Sequence, residues 1–223
     1  MLYSSDNIFI SENPQVGILG KLTTDRKGIH VGFYWIHNNS KKFLHFIQKG
    51  KIELNDPNEL LNYYGLEVPE FKKDLIPSLI SFTKLIQANN LGTISVNLTS
   101  VIYKGNKFRI SDGKYIVDKE FENSISCGVF VLALFETYNH TLLKWESWPT
   151  VTDANKNPYL QFWLEEGNIP DNEQEPFYNF NKEIKGKHVI SSTLVKPNPS
   201  EFEPIEKVSN EVFDFFLSKN VVV

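Results

Sequence analysis

The sequence predicts an α+β protein in which an antiparallel sheet packs against a helix that carries the only cysteine, Cys127. Two β-rich runs, residues 29–36 and 43–47, flank a polar turn and predict an antiparallel hairpin. The apolar segment 126–138 is long enough for a buried helix, although its valines would also suit a buried strand. Hydrophobic residues make up 41% of the 223 residues, which is ample for a packed core.

Charge and composition exclude several classes of partner. The net charge of −4 gives no positive field to attract nucleic acid, and no basic cluster suits an anionic membrane. No apolar stretch approaches the length of a membrane span. The N-terminus lacks the pattern of a signal peptide, and one cysteine cannot form an intramolecular disulfide. We therefore expect a cytoplasmic location, with export by a signal-less route left open. The oligomeric state is not indicated.

Further elements follow from local signals. Residues 16–23 read as a strand before the hairpin. Asp56, Pro57 and Glu59 predict the start of a short helix that ends near Gly65. A second helix is predicted from residues that share one face, namely Leu75, Leu79, Phe82 and Ile86.

A C-terminal helix is predicted after residue 200. Ser200 and Glu203 are spaced for a capping box. The residues expected to bury one face are Ile205, Val208, Val212 and Phe215. We expect residues 1–148 to form a core domain. Residues 149–223 would then be an extension packed on that core, and not an independent domain.

Cys127 is the best candidate for a catalytic nucleophile. A thiol attacks as thiolate, and a helix N-terminus together with a nearby imidazolium lowers its pKa. Cys127 lies where a polar run meets the apolar segment, so in a helix it occupies the first turn, where free N–H groups favour charge on sulfur or on an oxyanion. Gly128 would leave room for a substrate carbonyl. The alternative is a small buried hydrophobic residue beside Val129.

His30 and His45 are the candidate partners of Cys127. His30 opens an otherwise apolar strand and His45 lies in the middle of the next, so the hairpin would bring the two rings together. A base held in one tautomer by a second ring suits proton transfer. The alternative is two half-buried histidines with backbone partners. The histidines without a predicted catalytic role are His37, His140 and His188.

These residues resemble a known pattern. Residues 30–34 (His-Val-Gly-Phe-Tyr) and 43–46 (Phe-Leu-His-Phe) are similar to the start of the lecithin retinol acyltransferase-like group, a circularly permuted branch of the NlpC-like papain-fold enzymes. In that group a His-x-Gly-Ile-Tyr strand precedes a strand ending Val-His-Leu, and the nucleophilic cysteine follows much later at the start of a helix. The resemblance implies a papain-like fold with Cys127 as nucleophile, His30 as general base and His45 as its orienting residue. Residues 126–130 (Ser-Cys-Gly-Val-Phe) depart from the family's frequent Asn-Cys-Glu-His-Phe, which leaves the substrate open.

A second resemblance competes with the first. Residues 127–131 (Cys-Gly-Val-Phe-Val) are similar to the nucleophile motif of ubiquitin-like-protein cysteine proteases. Those enzymes place an acid on the strand after the histidine and a Gln shortly before the cysteine. Here His45 stands near the acid's position, and Phe121 and Glu122 stand where the Gln would be. Both resemblances agree on Cys127 and His30.

The function predicted is therefore that of a cysteine hydrolase, either a peptidase or amidase, or of an acyltransferase. It would act on an amide or ester in a peptide, a peptidoglycan stem or a lipid. One cysteine and scattered histidines cannot supply a spaced set of zinc ligands, so we expect no metal and no cofactor. The alternatives are a ubiquitin-like-protein protease and a non-catalytic binding protein that keeps the papain-like fold.

Overall fold

The computed structural model describes residues 2–47, 51–90, 95–96, 101–102, 105–116, 124–150, 181–182, 184–196 and 198–219. Its main sheet contains β1 (Tyr3–Ser4), β2 (Gln15–Leu22), β3 (Ile29–His37), β4 (Ser40–Ile47), β5 (Lys51–Asn55) and β6 (Tyr64–Glu67). The spatial order is β1-β6-β2-β3-β4-β5, with antiparallel pairing throughout. Two short pairs lie apart from it, β7 (Ser95–Val96) with β9 (Ser124–Ile125) and β8 (Val101–Ile102) with β10 (Asn181–Lys182).

The helices of the described residues are α1 (Ser5–Ile8), α2 (Ile76–Asn89), α3 (Cys127–Thr137), α4 (Gly186–Ser192) and α5 (Phe202–Lys219). Short 3₁₀ turns occur at Pro57–Glu59, Lys73–Leu75 and Trp145–Ser147. The predicted α+β class is confirmed. None of the helices in the described part of the chain is both long and apolar enough to cross a membrane.

The β3–β4 hairpin forms as predicted because its turn has suitable chemistry. His37 pairs with Ser40 across a two-residue loop in which Asn38 and Asn39 both have positive φ, 47° and 62°. A two-residue hairpin turn of type I′ needs this conformation at both central positions, and Asn tolerates it better than most residues. The pairing then continues from the turn to Gly32 opposite His45.

One face of the sheet packs against helices. Alternate β3 residues point to this face, and Phe33 contacts Phe135 of α3 edge-on with ring centroids 5.5 Å apart. On β4, Phe46 stacks on Phe130 of α3 at 5.9 Å. All four rings are almost completely buried, and burying one such side chain stabilises a fold by about 1.5–3 kcal/mol. These contacts hold α3 across the middle of the sheet.

The opposite face carries a smaller apolar cluster. It consists of Ile8, Phe9, Leu19, Tyr34, Ile36, Phe43, Leu60 and Tyr63. His30 precedes Tyr34 by four residues on β3, and His45 follows Phe43 by two on β4, so strand alternation directs both histidines to this face.

The helix predicted after Asp56 forms only a short turn. The capping signal is real, because Asp56 and Glu59 form a capping box. However, it supports only the 3₁₀ turn Pro57–Glu59, and the chain then enters β6 instead of continuing as a helix to Gly65. The predicted short helix is therefore wrong. Pairing of β6 with β2 satisfies the backbone in its place.

The predicted helices α2 and α5 are confirmed, with a shift in each. Leu75 lies in the 3₁₀ turn before α2, and Ile76 takes its place on the buried face. In α5 the buried positions are Ile205, Ser209, Val212 and Phe216. Ser209 and Phe216 replace the predicted Val208 and Phe215, which are only partly buried. The Tyr64 ring of β6 contacts both Phe215 and Phe216 edge-on. These contacts help to set which side of α5 faces the sheet.

Helix α4, from the predicted C-terminal extension, packs closely on the sheet. A Cβ on Gly186 would lie 1.9 Å from the carbonyl oxygen of Ile29, and one on Gly20 would lie 2.5 Å from Ile190. Neither position has space for a side chain, so α4 lies directly over β2 and β3. The predicted division at residue 148 stays a prediction, since residues 151–180 lie outside the described part of the chain.

Replacing Gly32 tests the close contact of β3 with β4. A Cβ there would lie 2.5 Å from the Phe43 ring and 2.6 Å from the Leu44 carbonyl oxygen. We expect Gly32→Ala to lower the free energy of unfolding by about 1–3 kcal/mol, because β4 must shift to relieve the overlap. Gly28→Ala is the matched control, since a Cβ there meets only Thr23 at 3.8 Å. Urea denaturation of both variants measures the difference, and equal stability would contradict the close approach.

Candidate functional site

Cys127 is the first residue of α3, as the sequence predicts. Ser126 caps the helix, and its hydroxyl accepts the N–H of Val129 at 3.2 Å. This cap starts the helix at the cysteine, because it supplies a partner for an N–H that no earlier helical carbonyl can reach. Cys127 is half-buried, whereas the residues that follow it as far as Phe135 are buried.

The sulfur of Cys127 meets β3 at the residue next to His30. β4 pairs with β3 only as far as Gly32 opposite His45, and beyond that point it pairs with β5 alone. At the place where the strands separate, the backbone N–H of Val31 lies near enough to the sulfur to favour the thiolate. Folding therefore carries the cysteine from late in the sequence to the early hairpin.

His30 and His45 are in direct contact. The Nε2 of His30 lies 2.7 Å from the Nδ1 of His45, and the two rings meet edge-on. Because Gly32 is directly opposite His45, His30 is its diagonal neighbour on the same face, within reach of a long side chain. The other nitrogen of His45, Nε2, lies 2.7 Å from the amide oxygen of Asn55.

Burial keeps both imidazoles neutral at pH 7. It lowers the pKa of His30 to about 4, and the neighbouring His45 adds to this by repulsion. It also lowers the pKa of His45, although the hydrogen bond to Asn55 and the carboxylate of Glu53 oppose the shift. A neutral imidazole has one nitrogen free to accept a proton, which a general base requires.

The electrostatics of the thiol differ from the sequence expectation. Burial raises the pKa of the Cys127 thiol, and the N–H groups of Val31, Gly128 and Cys127 itself only partly oppose the shift. The helix N-terminus thus favours the thiolate as expected, but desolvation is the larger effect. The expected lowering of the thiol pKa is therefore wrong, and the resting groups are a thiol and a neutral imidazole.

Tyr63 lies between the cysteine and the histidine pair. Burial, and then the charge that Cys127 would carry, raise the pKa of Tyr63 to about 12, so the two residues are neighbours. The Tyr63 ring lies 5.0 Å from Phe43, which lies 4.9 Å from His45. The amine of Lys21, which stands opposite His30 on β2, lies 5.7 Å above the Tyr63 ring. Tyrosine hydroxyl and lysine amine are both donors that a substrate oxygen could use.

Gly128 has a structural role that differs from the expected one. A Cβ there would meet Val189 of α4 at 3.0 Å and the Ser126 hydroxyl at 3.6 Å. The missing side chain therefore makes room for α4 and not for a substrate carbonyl. The N–H of Gly128 nevertheless remains directed at the sulfur region and favours negative charge there.

The other histidines lie elsewhere. His140 lines a surface cavity of about 600 Å³ together with Glu70 and Lys196. His188 is buried, lies 2.8 Å from Glu206 and lines a smaller cavity of about 120 Å³. Neither cavity is lined by Cys127, His30 or His45. Within the described residues, His30 is thus the histidine next to Val31, whose N–H lies near the sulfur, and His45 is the ring that contacts it.

Two neighbours of the histidines were missed in the sequence. Asn55 lies on β5, and a signal for it exists, because residues 51–55 alternate strictly between polar and apolar as a half-buried strand does. Tyr63 lies between the 3₁₀ turn and β6, where no periodic pattern marks it. Its position depends on the pairing of β6 with β2.

No protein-family model matches the chain, and neither the curated proteins nor the solved structures include a match to it. The two family resemblances of the sequence therefore stay predictions. What is known of the site is its geometry, which stands independently of any relative.

The pH dependence of alkylation tests the state of the thiol. Because the pKa of Cys127 lies above the ordinary value of 9.0, the rate of reaction with iodoacetamide should still rise beyond that pH. The rate is measured by intact mass between about pH 6 and 10, with the urea-unfolded protein as the control that titrates at the ordinary value. A plateau near neutral pH would reveal a thiolate and contradict the expected neutral pair.

Proposed function

We propose that the protein is a thiol-dependent hydrolase or acyltransferase that acts on an amide or ester bond through Cys127, His30 and His45. The observation that carries the proposal is the nearness of the Val31 N–H, directly after His30, to the Cys127 sulfur, together with the His30 Nε2 that lies 2.7 Å from Nδ1 of His45. A nucleophile, a base and a residue that orients the base are the parts that nucleophilic acyl transfer needs.

The proposed reaction starts from neutral groups. As the sulfur of Cys127 attacks the carbonyl carbon, its proton passes to His30 and the carbonyl oxygen becomes an oxyanion. The N–H groups at the start of α3 favour that negative charge. The tetrahedral intermediate collapses to a thioester, and the imidazolium of His30 protonates the leaving amine or alcohol. Water or an acceptor alcohol or amine then attacks the thioester, gives its proton to His30 and releases the acyl group and the thiol.

The substrate class is an acyl compound: a peptide, a peptidoglycan stem or a lipid. Tyr63 and Phe43 bury their rings beside His45 and make this part of the site apolar. The neutral resting pair also favours a substrate that desolvates the site as it binds, since a buried neutral pair loses less hydration than an ion pair.

Acylation by an activated ester tests the proposal. We expect the wild type to gain the mass of one acyl group on incubation with a p-nitrophenyl ester, and to lose it on treatment with hydroxylamine, which cleaves thioesters. Cys127→Ala should gain none, and His30→Gln should acylate about 10²–10⁴ times more slowly, the usual contribution of a general base. His37→Gln, at the far end of the same strand, is the matched control and should acylate at the wild-type rate.

The alternatives give different outcomes in the same experiments. A ubiquitin-like-protein protease would react with electrophilic probes built on such a protein and ignore simple acyl esters. The partner of His30 is here an imidazole instead of the carboxylate typical of those proteases, which is why this function comes second. A non-catalytic binding protein would lose at most a few kcal/mol of stability in Cys127→Ala, and wild type and variant would acylate equally.

A further inference from the structure

The hydrogen-bond chain continues beyond His45. Its Nε2 meets the side-chain oxygen of Asn55 at 2.7 Å, and the side-chain nitrogen of Asn55 donates to a carboxylate oxygen of Glu59 at 2.7 Å. Asn55 ends β5 opposite Phe43, so its side chain is on the face that carries His45. Glu59 ends the adjacent 3₁₀ turn.

Glu59 determines which way the Asn55 amide points. A carboxylate only accepts hydrogen bonds, so the group of Asn55 that faces Glu59 must be its NH₂. The opposite end of the amide, its oxygen, must then face His45. The same carboxylate oxygen also accepts the backbone N–H of Asp56 at 3.3 Å, which holds Glu59 in this orientation.

The direction of the amide sets the tautomers of both histidines. Since the amide oxygen only accepts, Nε2 of His45 must carry the proton, and Nδ1 of this neutral ring must hold a lone pair. The Nε2 of His30 must therefore donate to it. On a neutral His30 this leaves Nδ1 with the free lone pair.

We propose that Asn55 and Glu59 are positioning residues that fix His45 and His30 as Nε2–H tautomers, which makes Nδ1 of His30 the atom that takes the Cys127 proton. The proton-acceptor part of this inference rests on the proposed function. The tautomer part depends only on the four-residue chain of hydrogen bonds, and the two parts can be tested separately.

Glu53 is the other carboxylate near His45 and supplies a matched control. Its nearer oxygen lies 3.9 Å from Nε2 of His45, outside hydrogen-bond distance, and the residue is ion-paired with Lys51 at 2.6 Å. Within the described residues it makes no recorded contact with Asn55. Glu53→Gln and Glu59→Gln are thus the same chemical change at two carboxylates near His45, of which only Glu59 bonds Asn55.

The test is long-range ¹H–¹⁵N NMR of the histidine rings, combined with acylation kinetics. We expect Nε2–H tautomers for His30 and His45 in the wild type and in Glu53→Gln. In Glu59→Gln the amide can turn, and in Asn55→Leu the acceptor is lost, so both variants should show mixed tautomers. Their acylation rate constants should fall about tenfold, the worth of a typical hydrogen bond, without a change in the apparent KM.

Each result has one meaning. An Nδ1–H tautomer on either ring of the wild type, or pure Nε2–H tautomers in both Asn55→Leu and Glu59→Gln, would overturn the inference. If the tautomers behave as expected but neither the wild type nor any variant acylates, the proton-acceptor role fails together with the proposed function while the tautomer assignment stands. If the wild type acylates and the tautomers do not depend on Asn55, the positioning role alone is overturned.

Discussion

The packing of α3 against β3 and β4 is the interaction on which the candidate site depends. Phe33 with Phe135, and Phe46 with Phe130, hold the helix across the sheet by contacts that exclude water. Because the helix is held along its length, its first residue is fixed where the two strands separate. Loosening this packing would move the thiol away from Val31 and leave the histidine pair intact, since that pair belongs to the hairpin alone.

The same burial that builds the site also sets its chemistry. Protein atoms around Cys127, His30 and His45 disfavour the charged form of each, so the thiol pKa rises and the imidazole pKa values fall. The backbone N–H groups at the start of α3 act in the opposite direction on the thiol, but they are the smaller effect. In the proposed reaction a neutral pair suffices, because the proton moves only as the new bond forms. The hydrogen-bond chain through Asn55 matters more in such a site, since the base must present the correct nitrogen without help from charge.

Much of the frame was predictable because its signals are local. The Asn38–Asn39 turn, the serine that caps α3 and the face shared by the apolar residues of α2 are all readable within a few residues. The predictions are wrong where a contact with a segment distant in the sequence determines the local structure. The chain after Asp56 has a helix signal but pairs as a strand with β2, and α5 is rotated by its contact with Tyr64. Residues 51–55 carried a strand pattern that was readable and was missed.

The sequence by itself determined the α+β class, the hairpin with its two histidines and the helix that begins at Cys127, because turn, cap and periodicity signals act between near neighbours. Only the tertiary structure decided that the cysteine meets the residue after His30, that Gly128 makes room for α4, and that Asn55 and Tyr63 join the histidines. It also decided the direction of the thiol pKa shift. That direction depends on how much protein surrounds the sulfur, and those atoms come from segments far apart in the chain.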